Sequence, residues 1–174
     1  VPGIDRDSMV VLTLDDTTRM YLGFGKKLVW DPDGTQVFFI VYPYGSSQWV
    51  VDINTRVRRV FSDSITINAI SPDRRTAHIL WWNFILPNQR MKFVDYPSLT
   101  NERELGPPGA GGASWSQNGE EIAFGYRADS TKIGGDIFIM KKDGTNIRRV
   151  TYQQPLFSIG DIHWSPDGSK LVFI

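Results

Sequence analysis

The chain has 174 residues, 41% of them hydrophobic, and its 19 Lys and Arg balance 19 Asp and Glu. That length and apolar content suit one compact domain, and zero formal charge argues against electrostatic capture of nucleic acid or of an anionic membrane. No stretch is apolar enough to span a bilayer, and the lack of cysteine removes thiol chemistry while leaving the redox compartment open.

Taken in order, 9–24 reads as two strands, 9–14 and 19–24, around a turn at Asp15-Asp16. A phrase then appears that recurs with a period of about 45 residues. It is Trp30-Asp31-Pro32-Asp33-Gly34, Ile70-Ser71-Pro72-Asp73-Arg74, Trp115-Ser116-Gln117-Asn118-Gly119 and Trp164-Ser165-Pro166-Asp167-Gly168. Proline presets the first corner of a turn, the Asp or Asn accepts backbone N–H groups, and glycine supplies a positive φ. Arg74 stands where the other repeats have glycine, which predicts a looser turn or one of another type.

Each turn leads into an apolar run: 37–42, 77–82, 122–126 and 171–174. These runs are apolar on both faces, as expected of strands covered on both sides. A variable connection precedes the next strand, 48–53, 90–95 or 136–141, and a more polar strand ends each unit at 56–61, 102–105 or 146–151. Asp143-Gly144 marks the clearest closing turn of these hairpins. The pattern predicts an all-β chain, a β-propeller of four-stranded antiparallel blades. Three complete blades fall at 28–61, 67–105 and 112–151, with half blades at 9–24 and 161–174. Together they make about four blades in a single propeller domain or propeller fragment covering 1–174.

The segment WSQNGEEIAFGYRADSTKIGGDIFIMKKDGTNIRRVT, residues 115–151, resembles one blade of the TolB-like β-propeller family. Weaker forms of it recur over nearly the whole chain. Related blades occur in the propellers of prolyl-oligopeptidase-type and tricorn-like peptidases. The resemblance implies a bacterial envelope, a periplasmic or secreted location, and partners among lipoproteins or envelope complexes. The α/β domain preceding the propeller in TolB has no counterpart here. The two half blades either pair to close a four-bladed ring or belong to a larger propeller. The missing initiator Met and the strand at the C-terminal end favour the larger propeller. An open ring would leave apolar sheet faces uncovered and promote self-association.

Catalytic motifs are missing. Gly112-Ala113-Ser114-Trp115-Ser116 breaks the G-x-S-x-G elbow, and no H-E-x-x-H or paired-cysteine site suggests zinc. A calcium loop beginning at Asp31 would need Glu where Tyr42 stands. No metal, cofactor or enzymatic activity is therefore expected. His78, between apolar neighbours, reads as a packing residue, and Arg56, Arg58, Arg59, Arg148 and Arg149 as charges that guard outer strands.

In a propeller, the connections between second and third strands share a face with the links between blades. Tyr44, Trp82, Phe84, Ile85, Tyr152 and Phe157 fall on or near it, as large aromatic and aliphatic interface anchors. Asp161 and His163, two residues apart on an inner strand, form a candidate pair at the channel mouth. The reading is a non-catalytic scaffold that binds a protein or peptide. The alternatives are the gating propeller of a serine peptidase whose catalytic domain lies outside this chain, and a carbohydrate-binding or carbohydrate-acting propeller.

Overall fold

The computed structural model describes residues 8–12, 19–41, 47–81, 90–128, 135–152 and 161–173. They fall into two compact units, 1–66 and 67–174. Among the described residues every regular element is a strand.

The first unit contains β1 (Ser8–Leu12), β2 (Arg19–Trp30), β3 (Gln36–Val41), β4 (Gln48–Asp52) and β5 (Arg58–Ser62), hydrogen-bonded in sequence order. The strand expected to stop at residue 24 runs on through β2 into the strand that ends at anchor Trp30. Its first half pairs with β1 and its second half with β3, with a bulge between Lys26 and Val29. Lys27 at φ 56° marks the bend, because one extra residue kinks a strand and re-aims the residues beyond it. Gly25 makes the crossing feasible, since a Cβ there would lie 1.9 Å from the carbonyl oxygen of Ile40. Met9 and Leu22 of the β1–β2 hairpin bury Val37, Phe39 and Val51 on one face of the sheet.

In the second unit, β6 (Ile65–Ile70), which begins at the unit boundary, β7 (Thr76–Trp81), β8 (Met91–Asp95) and β9 (Thr100–Leu105) form one antiparallel sheet. Next come β10 (Gly111–Trp115), β11 (Glu121–Tyr126), β12 (Asp136–Lys141) and β13 (Arg148–Arg149), and then the hairpin β14 (His163–Trp164) and β15 (Leu171–Val172). The β10–β13 sheet is covered on both faces. Ile122, Phe124, Phe138 and Met140 meet Met91 and Phe93 of the preceding sheet. Ala123, Ile137 and Ile139 meet Ile162, Trp164 and Leu171 of the following hairpin. Alternate side chains leave opposite faces of a strand, so a strand buried on both sides reads as a continuous apolar run.

The sequence repeat is also a register repeat. Trp30 pairs with Val37, Trp115 with Ile122 and Trp164 with Leu171. All four turns close with the same two backbone bonds. The residue after the anchor donates its N–H across the turn to Gln36, Thr76, Glu121 or Lys170, and its carbonyl accepts from Gly34, Arg74, Gly119 or Gly168, all at 2.8–2.9 Å. The turn at Arg74 is therefore not looser, contrary to expectation. Arg74 adopts φ 58°, close to the 69–74° of the glycines. A left-handed non-glycine residue costs about 1–2 kcal/mol, which the shared bonds of the turn outweigh.

Side chains brace these turns. Ser71, Ser116 and Ser165 each accept a backbone N–H at 2.9 Å and donate their hydroxyl to Asp73, Asn118 and Asp167 respectively. Those three residues also accept a backbone N–H, from Arg75, Glu120 or Ser169. Hydrogen bonding to its charged form, first from Ser71, lowers the Asp73 carboxyl from its ordinary 3.8. The Ser165 hydroxyl and the Ser169 N–H bring Asp167 down to about 2. A carboxylate lowered by folding stabilises fully above its unfolded pKa, and that contribution is lost as pH falls through the folded value. For Asp167 the window runs from about pH 4 down to about 2. Asn118 does the same work without titrating, so the double variant Asp73→Asn, Asp167→Asn should fold and lose less stability between pH 7 and pH 3 than the parent. Urea midpoints at the two pH values measure this, and an equal loss in both proteins would rule it out.

Candidate functional site

One candidate lies where β12 begins and the chain leaves β13 at Thr151 and Tyr152. Both are at the end of the sheet where β11 finishes at Tyr126, opposite Asp136. Phe138 pairs with Arg149, which puts Arg149 diagonal to Asp136 and within reach of its carboxylate. Arg149 Nη2 lies 2.6 Å from Asp136 Oδ2, and Arg149 Nε donates to the Thr151 carbonyl at 2.7 Å. The Thr151 hydroxyl donates to Asp136 Oδ1 at 3.0 Å and accepts the N–H of Ile137 at 3.0 Å. Part of this ion pair is exposed, so its direct stabilisation is at most about 1 kcal/mol. Its larger effect is to hold Arg149 in one place.

Tyr152 is built on that support. Its hydroxyl donates to the Arg149 carbonyl at 3.0 Å, and the guanidinium lies 5.2 Å from the centre of its ring. The residue is nonetheless 70% exposed. A fixed aromatic ring offers area to a partner with little further loss of torsional freedom. Asp136 and Thr151 were not legible as its supports, and Arg149 read only as an edge charge. The available signal was Asp136 opening a strand after Gly134-Gly135, opposite an Arg-x-Thr on the paired strand.

Asp161 and His163 are placed differently from the expected pair. Asp161 has φ 40° and lies outside β14, so two-residue alternation does not relate the two side chains. Among the described residues neither makes a side-chain hydrogen bond or ion pair. His163 pairs with Val172, while Trp164 and Leu171 pack on the preceding sheet, so His163 belongs to the opposite, open face of the hairpin. Tyr44, Trp82, Phe84, Ile85 and Phe157 lie outside the described residues.

The remaining candidates have structural roles. His78 is fully buried, its Nδ1 is 3.3 Å from the Asn68 amide nitrogen, and its ring lies 5.1 Å from Phe93. Arg58 donates to the carbonyls of Tyr21 and Leu22, tying β5 to β2, and Arg148 pairs with Glu121 at 3.0 Å. Among the described residues no three His, Asp or Glu side chains come together as a metal site, and no helix is long and apolar enough to cross a membrane.

No protein-family model and no curated protein sequence matches the chain. Solved structures do match it. TolB from Acinetobacter baumannii superposes with a TM-score of 0.72 at 14% identity, over 95% of this chain and 42% of that one. An oligogalacturonate lyase in complex with manganese gives 0.62 at 13% identity, over 94% and 52%. The acylaminoacyl peptidase of Pyrococcus horikoshii gives 0.51 at 16% identity, over 83% and 28%. The chain thus spans under half the length of that TolB and about half that of the lyase. Repeated four-stranded antiparallel sheets, a shared anchor-and-turn register and these superpositions establish that the chain has the TolB-like β-propeller fold.

Proposed function

We propose that the chain is a non-catalytic propeller scaffold that binds a protein or peptide through the face carrying its second-to-third-strand connections and blade links. Residues 1–174 then act as one propeller domain or as part of one. The observation that carries this reading is Tyr152, an exposed ring held by its own hydroxyl and by Arg149. Tyr44, Trp82, Phe84, Ile85, Phe157, Asp161 and His163 are proposed to share that binding role. The TolB likeness supports a periplasmic or secreted setting with partners in the bacterial envelope.

Capture from an envelope extract on the immobilised chain tests the proposal. Tyr152→Ala should weaken retention of a specific partner by about 5- to 30-fold, the range of an interface anchor, with the thermal midpoint unchanged. Polar replacements at Phe84 and Ile85 should act in the same direction. Undiminished capture removes the substituted residues from the site.

The likeness to an acylaminoacyl peptidase supports a second reading, in which this propeller gates a serine peptidase. A G-x-S-x-G elbow followed by Asp and His in the parent reading frame would decide for it.

A further inference from the structure

The third anchor turn carries the only Asn-Gly pair of the chain, Asn118-Gly119, where the other turns have Asp33, Asp73 and Asp167. An asparagine before glycine is the pairing most open to deamidation, because glycine has no side chain to shield its nitrogen. Here the fold holds both groups that would have to react. The Gly119 N–H donates to the Ser116 carbonyl at 2.9 Å, with Gly119 at φ 71°. Asn118 Oδ1 accepts the Ser116 hydroxyl at 2.8 Å and the Glu120 N–H at 3.1 Å. Ser116 itself is buried, and the Lys142 N–H fixes the Glu120 carbonyl at 3.0 Å. The preceding repeat's turn lies alongside, since a Cβ at Gly119 would touch Pro72 Cδ at 3.6 Å.

We infer that Asn118 is a self-modification site whose deamidation is gated by opening of this turn. Once Gly119 is released from Ser116, its amide nitrogen loses a proton and bonds to the side-chain carbonyl carbon of Asn118. The carbon–nitrogen bond of the side-chain amide breaks, and ammonia leaves with that proton. One water then opens the succinimide ring at either of its two carbonyls, and no other reagent is consumed. Opening at the main-chain nitrogen's bond to the side-chain carbonyl leaves an aspartate, and opening at the other leaves an isoaspartate. The two products have different fates. Asp73 and Asp167 make the same brace with Ser71 and Ser165, so an aspartate at this position rebuilds the turn. Isoaspartate adds a methylene to the main chain, which moves the Gly119 N–H away from the Ser116 carbonyl.

Peptide mapping by mass spectrometry reads the exchange of the Asn118 amide for a hydroxyl during incubation in mildly alkaline buffer. The urea-unfolded chain should convert at least about tenfold faster than the folded chain, because the folded one must first open locally. Ser116→Ala deletes the hydroxyl that holds the turn and should speed conversion in folded protein about 2- to 10-fold. Ser165→Ala removes the same brace from another turn and should leave the Asn118 rate at the parent value. Asn118→Asp should melt with the parent. The inference is overturned by equal rates in the folded and unfolded chains, or by no conversion in the unfolded one. That comparison needs no variant, so it decides even where Ser116→Ala does not fold. A folded Ser116→Ala that converts at the parent rate would overturn the gating, and a lowered midpoint for Asn118→Asp would overturn the rebuilt turn.

Discussion

Replacing Gly25 with alanine should destabilise the first unit by about 3 kcal/mol, the largest effect expected of so small a change. The added methyl would meet the carbonyl oxygen of Ile40 at 1.9 Å and its carbonyl carbon at 2.9 Å. It would also meet Met9 Cε at 2.5 Å, but a methionine end can swing aside while strand backbone cannot. Gly25 pairs with Val41 and Lys26 with Ile40, so relief requires β2 and β3 to separate beside the bulge. Gly111→Ala is the matching control, since its new methyl would find open space. Urea unfolding should show a large fall for the first variant and little change for the second, where fewer unfolded conformations even favour alanine slightly. Equal midpoints for the two would show that β2 does not need the close approach.

Phe124→Ala should cost the second unit about 3–5 kcal/mol. Phe124 is fully buried between sheets, its ring stacked 5.9 Å from that of Phe138 in the cluster that holds Met91 and Phe93. Removing it leaves a cavity that two facing sheets cannot both collapse into. Phe173 stands at the same place one repeat later but is 36% exposed. Phe173→Ala should therefore cost under about 1 kcal/mol. Identical residues at equivalent repeat positions then differ in burial, and similar losses for both would contradict burial between sheets as the source of stability.

The four-stranded units and their turns were legible because their chemistry is local. Pro32, Asp33 and Gly34 lie within one turn, and the apolar run beyond it needs no knowledge of its neighbours. Three features were not legible in this way. Arg74 keeps the shared turn because two backbone bonds impose it, whatever the side chain prefers. The continuity of β2 depends on how closely Gly25 approaches β3, which no single segment reveals. Tyr152 was legible as an exposed aromatic, but its support was not. Asp136, Arg149 and Thr151 meet only through the register of β12 and β13, and that register is a relation between strands.

The Ser-to-Asp or Ser-to-Asn brace has a kinetic consequence. Its bonds join residues two to five positions apart, at three of the four anchor turns. Closing so short a loop loses little chain entropy, so each hairpin can nucleate by itself before any distant sheet arrives. Folding can then start at several places along the chain and grow by docking neighbours, as in other repeat architectures.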